Sequence, residues 1–125
     1  MDFDKLTSNE GKMRIIQDSV PGKQITLLHI IANPDPFLYK KLGLDPSVEY
    51  AATAIGIMTL CPSETAIIAA DISMKASGAQ LGFVDRFSGT VIITGTVSEV
   101  EASLNAVSMY AVNTLGFTVC DVTRT

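Results

Sequence analysis

Two apolar, β-branched stretches flank one tight turn in residues 82–95, GFVDRFSGTVIITG. Such runs favour extended strands, and the Ser88-Gly89 dipeptide between them is typical of a hairpin turn. The turn also carries Asp85 and Arg86, although charged residues make up only 18% of the chain. An antiparallel hairpin with an acid and a base at its tip is therefore the strongest single constraint on the fold.

Strand patterns recur along the rest of the chain. We predict strands in KQITLLHIIA, AIGIMTL and FTVCDVT, and a short one in RIIQDSVPG that closes on a Pro-Gly turn. The polar residues 1–13 are expected to form a flexible tail, and LDPSVEYAAT is expected to be a linker. The segment RIIQDSV has too little apolar surface to hold itself to a core, so we expect it to pair outside its own subunit.

Helices are predicted between these strands. In NPDPFLYKKLG, either Asn33 or Asp35 caps the start and Gly43 ends the helix. In CPSETAIIAADISMKASG, Pro62 suits the first helical position and Lys75 suits the negative end of the helix dipole.

The third predicted helix is SEVEASLNAVSMYAVNTLG. Here Ser98 and Glu101 are predicted to form a capping box, and Gly116 is predicted to end the helix. Apolar residues spaced by three and four predict its buried face: Val100, Leu104, Val107, Ala111 and Leu115. The alternation of helices with strands and one hairpin indicates a ferredoxin-like α/β sandwich in one domain.

Composition narrows the class of partner. The 125 residues carry a net charge of −4, which argues against a protein that binds a phosphate backbone. The low charge content and a mean hydropathy of +0.34 indicate that part of the surface is covered, and we expect an oligomer. No signal peptide or membrane helix is expected, and two distant cysteines fit a reduced, cytoplasmic protein.

No catalytic constellation is evident. His29 lies in the middle of a strand with no partner nearby in sequence, so we expect a structural, hydrogen-bonded role. Cys61 and Cys120 have no neighbouring base to activate them and are expected to be buried or inert. Asp71 and Lys75 are spaced i, i+4 as a surface ion pair. Nucleotide-loop and metal-ligand spacings are missing from the sequence, so no cofactor and no metal are expected.

The stretches AIGIMTL, AADISMKASGAQLGFVDRFSGTVIITG and SEVEASL resemble the shell-protein domain of bacterial microcompartments (BMC domain). The segment VPGKQITLLHIIANP matches a strand that ordinary members carry near the C-terminus. The chain is therefore similar to the circularly permuted hexameric subclass, including the small shell proteins of ethanolamine and propanediol utilisation. The resemblance covers residues 14–125 and implies a permuted ferredoxin-like BMC fold.

The resemblance implies cyclic hexamers that tile a protein shell around enzymes producing a volatile or toxic aldehyde. The hairpin tip would line the axis of the ring through Asp85, Arg86, Phe87, Ser88 and Gly89. The N-terminal strand would join its symmetry copies in a β-barrel over that axis, through Arg14, Ile15, Ile16, Gln17, Asp18, Ser19 and Val20. Asp85 and Arg86 would form inter-subunit pairs, set the polarity of a pore, or remain a solvated turn pair.

At the outer rim, Lys75 matches the lysine that ordinary members place between neighbouring hexamers, and Asn33 stands where an arginine usually partners that edge. This departure would suit a specialised tile at a bend or an edge. The implied partners are further copies of the chain, other shell proteins, and encapsulated enzymes or their targeting peptides. Nucleic acid and membrane are not expected.

One alternative comes from a different functional class. A ferredoxin-like fold also suits a small-ligand-binding regulatory domain. A regulatory domain would more often be a dimer, whereas a shell tile must close into a ring.

Overall fold

The computed structural model describes residues 22–44 and 53–125. The strands are β1 (Gln24–Ile31), β2 (Ala54–Cys61), β3 (Gln80–Asp85), β4 (Thr90–Gly95), β5 (Thr118–Val119) and β6 (Thr123–Arg124). The helices are α1 (Pro36–Lys41), α2 (Thr65–Ala76) and α3 (Val97–Tyr110), and α3 continues into a π-helical turn at Ala111–Leu115. The predictions for residues 1–13, for the strand 14–20 and for most of the linker, 45–52, lie outside the described residues.

One sheet has the strand order β3-β4-β2-β1-β5, and β6 also pairs with β1. Its first four strands are antiparallel to their neighbours, whereas β5 and β6 run parallel to β1. From β2 onward the chain follows the ferredoxin-like order of strand, helix, two strands and helix. The strand that would complete this order after the second helix is instead β1, which precedes β2 in the chain and pairs with it along its full length. This arrangement is typical of a circular permutation.

Helices α2 and α3 cover one face of the sheet. Alternate residues of the central strands point into this layer and are almost completely buried, as Leu28, Met58 and Ile93 show. Helix α3 packs directly on Gly56 of β2, where an added Cβ would lie 2.6 Å from Cγ1 of Val100. The predicted buried face of α3 is confirmed, and only Leu115 is partly exposed.

The opposite face of the sheet is covered in part. Leu44, which follows α1, is buried together with Ile55 and Ile92. Leu44 also lies against Gly82 of β3, because a Cβ at Gly82 would be 3.1 Å from its Cδ2. On the same face, Leu27 and Phe83 remain exposed.

The starts of two helices differ from the sequence predictions. The capping box of α3 consists of Thr96 and Glu99, two residues before the predicted pair Ser98 and Glu101. Both pairs fit the motif, but β4 already ends at Gly95, so the helix begins earlier. Helix α2 begins at Thr65, so Pro62 is not its first residue.

The remaining helix ends agree with the predictions. Asp35 caps α1 by accepting a hydrogen bond from the Phe37 amide, 2.9 Å away. Gly116, with a φ of 72°, ends the π-helical turn in the left-handed conformation that glycine favours. The hairpin is confirmed, whereas the predicted last strand is two short strands, β5 and β6.

Candidate assembly surfaces

The hairpin turn is held by hydrogen bonds to Asp85. One carboxylate oxygen accepts from the Phe87 amide at 2.8 Å, and the other accepts from the Ser88 hydroxyl at 2.9 Å. The Gly89 amide donates to the Asp85 carbonyl at 2.9 Å. The Phe87 amide is the main cause, and the Ser88 hydroxyl the next, of a pKa for Asp85 below its ordinary value of 3.8.

Gly89 joins the turn to the centre of the sheet. Its carbonyl accepts a hydrogen bond from the Leu60 amide at 2.8 Å. Its φ is +77°, and a Cβ at this position would fall against the Leu60 carbonyl oxygen. Only glycine adopts this positive φ without strain and also leaves room for the Leu60 carbonyl. The turn therefore lies close against β2.

The other two side chains of the turn face outward. The Phe87 side chain is 80% exposed, which is the largest value among the exposed large hydrophobic residues of the described chain. The Arg86 guanidinium lies over its ring, 4.8 Å from the centroid. Both oxygens of Asp85 accept hydrogen bonds within the turn, and the nearby charge of Arg86 is only a minor cause of the lowered pKa of Asp85.

The strand register places the predicted sites at two opposite ends of the sheet. Leu60 contacts the hairpin turn through Gly89 and pairs with Ile25 near the start of β1. The hairpin turn and the entry of the N-terminal segment therefore share one end. Asn33 follows the other end of β1, and Lys75 lies in the last turn of α2, which runs back along the sheet from the end of β2.

Lys75 forms the predicted ion pair within α2. Its Nζ lies 2.8 Å from Oδ2 of Asp71, and both side chains are largely exposed. The hydrogen bond to Asp71, followed by its negative charge, raises the pKa of Lys75 above its ordinary value. Asn33 is also exposed.

His29 fastens the C-terminal strand to β1. Its Nδ1 lies 2.6 Å from the Thr123 hydroxyl and its Nε2 lies 2.9 Å from the Thr125 hydroxyl. The predicted structural role of His29 is confirmed. Both cysteines are free thiols; Cys61 is exposed and Cys120 is partly buried, so neither is fully buried, and their expected inertness stays a prediction.

Residues 22–44 and 53–125 contain neither a metal-ligand cluster nor a membrane-spanning helix. No cluster of three or more histidine, cysteine, aspartate or glutamate side chains in these ranges is suited to hold a metal ion. In the same ranges, no helix is long and apolar enough to span a membrane.

Residues 54–122 match the model of the BMC domain. The chain belongs to the BMC-domain family. The match begins at β2, so β1, which completes the centre of the sheet, lies outside it, as expected of a permuted member. A fused permuted hexameric shell protein shares this fold with a TM-score of 0.61 at 20% identity, over 70% of this chain and 46% of that one.

Closer relatives cover nearly the whole chain. The microcompartment shell protein PduU of Salmonella typhimurium is 51% identical over 112 residues, which are 90% of this chain and 93% of PduU. A flat hexamer of CutR has a TM-score of 0.77 at 47% identity, over 94% of this chain and 97% of that chain. The resemblance found in the sequence to permuted shell proteins is thereby confirmed.

Sequence reasoning missed two features of these surfaces. The contact between Leu60 and Gly89 joins residues far apart in sequence, so no local signal indicates it. The stacking of Arg86 on Phe87 does have a local signal, because a base stands directly before an aromatic residue in the turn.

Replacing Asp85 by alanine is expected to destabilise the protein in a pH-dependent way. Because folding lowers the pKa of Asp85, its carboxylate stabilises the native state above its ordinary pKa and stops doing so as the pH falls through the lowered value. The difference in urea midpoint between wild type and Asp85→Ala should therefore be constant above about pH 5 and shrink below it. A difference that does not change with pH would contradict a role for the charge, and Asp71→Ala serves as a control for removing an exposed carboxylate.

Proposed function

We propose that this protein is a non-enzymatic structural subunit of a bacterial microcompartment shell, located in the cytoplasm. The observation that carries the proposal is the match of residues 54–122 to the BMC domain. The permuted sheet has the hairpin turn at one end and Asn33 at the other. Six copies form a closed ring, with the hairpin end toward the axis and the end with Asn33 at the rim. A ring of this kind tiles a shell together with other shell proteins around enzymes that produce a volatile or toxic aldehyde.

The axis carries the turn from Asp85 to Gly89, and the N-terminal residues 14–20 form a β-barrel over it. Support comes from β1, which starts at the sheet end that holds the turn. A closed barrel would pair the edges that single strands leave open. With its axis capped in this way, the ring is not the main route for substrates.

The rim carries Lys75 and Asn33 as contacts between neighbouring hexamers. Support comes from the exposure of both side chains. Asn33 offers an amide where the family pattern has a guanidinium, so the lateral contact is weaker and suits a specialised tile. Encapsulated enzymes or their targeting peptides are further partners in this proposal, whereas the family match does not favour a ligand-binding regulatory domain.

Native mass spectrometry of the full chain tests the ring. Six protomers of 13.3 kDa give an expected mass of about 80 kDa. A variant lacking residues 1–20 should still be a hexamer, with a mass lower by six copies of the removed segment, because the ring contacts lie in the folded domain. A monomer or dimer of the full chain would contradict the shell subunit and favour a regulatory domain, and dissociation of the shortened chain alone would show that the segment holds the ring.

Lys75→Ala is expected to leave hexamers intact but to reduce their assembly into sheets, because it removes an exposed charge from the rim. Electron microscopy of negatively stained assemblies measures the sheets, and native mass checks the ring. Lys23→Ala is the matched control, since Lys23 lies at the hairpin end of the sheet. Sheets as extensive as those of wild type would contradict the rim role of Lys75.

A further inference from the structure

The hairpin turn presents an apolar surface with nothing described against it. Phe87 is 80% exposed, and Arg86 contacts only one face of its ring. The turn itself is rigid, because Asp85 accepts two hydrogen bonds within it and Gly89 is bonded to Leu60. A large aromatic side chain held out by a rigid turn is typical of a contact surface.

We infer that Phe87 and Arg86 are the seat on which the N-terminal residues 14–20 dock. This inference rests on the proposed function, in which the turns of six subunits surround the axis. It assigns to the turn a second task besides lining that axis, namely holding the N-terminal segment in place.

The distance between the segment and the turn is short. Ile25, Leu60 and Gly89 form a row across the sheet, and two strand spacings amount to about 10 Å. The described chain starts at Gly22, three residues before Ile25. An extended residue spans about 3.3 Å, so a few of residues 14–20 are enough to reach the turn of the same or a neighbouring subunit.

The chemistry of the segment matches this seat. Its sequence RIIQDSV supplies apolar Ile15 and Ile16 to cover an aromatic ring, and Asp18 to meet a guanidinium. Asp85 already accepts hydrogen bonds inside the turn with both carboxylate oxygens. Arg86 is therefore the charged side chain of the turn that can pair with a carboxylate of another segment.

Limited trypsin digestion of the full-length ring tests the docking. Cleavage after Arg14 removes the tail, and its rate follows the population of rings in which the segment has lifted off. Phe87→Ala is expected to raise this rate about tenfold while native mass shows an intact ring. Asp18→Asn removes the carboxylate of the segment that would meet Arg86, and it should also raise the cleavage rate. Phe37→Ala is the control, because Phe37 is an exposed phenylalanine of α1, beyond the other end of β1.

Three other outcomes overturn the inference. An intact Phe87→Ala ring cut at the wild-type rate would show that the segment does not rest on Phe87. Dissociation of that variant would show that Phe87 packs between subunits, and wild type cut as fast as the variant would show that the segment is not docked. A wild-type chain that forms no ring would contradict the proposed function, whereas the ratio of cleavage rates still decides the docking.

Discussion

The antiparallel pairing of β1 with β2 is the interaction on which the rest of the structure depends. It extends from Gln24 opposite Cys61 to Ile31 opposite Ile55 and places an N-terminal strand in the centre of the sheet. Without it, β5 and β6 would have no partner strand, and one side of β2 would be open. The same pairing places Gly22, where the described chain begins, at the hairpin end and Asn33 at the opposite end, and these are the two ends that we propose to face the axis and the rim.

The hairpin turn shows how a local structure is prepared for assembly. Asp85 satisfies the turn internally, Gly89 ties it to β2, and Arg86 and Phe87 are left facing outward. The acid and the base thus have separate tasks, although they are neighbours in the sequence. Order in the turn before assembly would lower the entropy lost on formation of the proposed ring.

Patterns of local origin could be read from the sequence with good accuracy. The hairpin, the buried face of α3, the end of α3 at Gly116 and the ion pair of Asp71 with Lys75 each depend on residues close in the chain. The predicted capping box was shifted because TVSEVE contains two overlapping matches to the motif, and the end of β4 decides between them. Pro62 was misplaced for a similar reason, since a proline suits both the first turn of a helix and the connection before it.

Contacts between distant segments could not be predicted in this way. The resemblance to a permuted family indicated that β1 belongs beside β2. Only the strand register seen in the structure shows that the turn and Asn33 lie at opposite ends of the sheet. The bonds of His29 to Thr123 and Thr125 and the packing of Leu44 on Gly82 likewise join parts of the chain that carry no mutual signal.

The central claim is that the hairpin end faces the ring axis and the other end faces the rim. Distances between spin labels in the assembled ring test it most directly, with Arg86→Cys and Asn33→Cys each labelled in a background lacking Cys61 and Cys120. Separations in a ring scale with the radius of the labelled site, so labels at position 86 should be clearly closer to one another than labels at position 33. Equal distances, or shorter ones at position 33, would contradict the account.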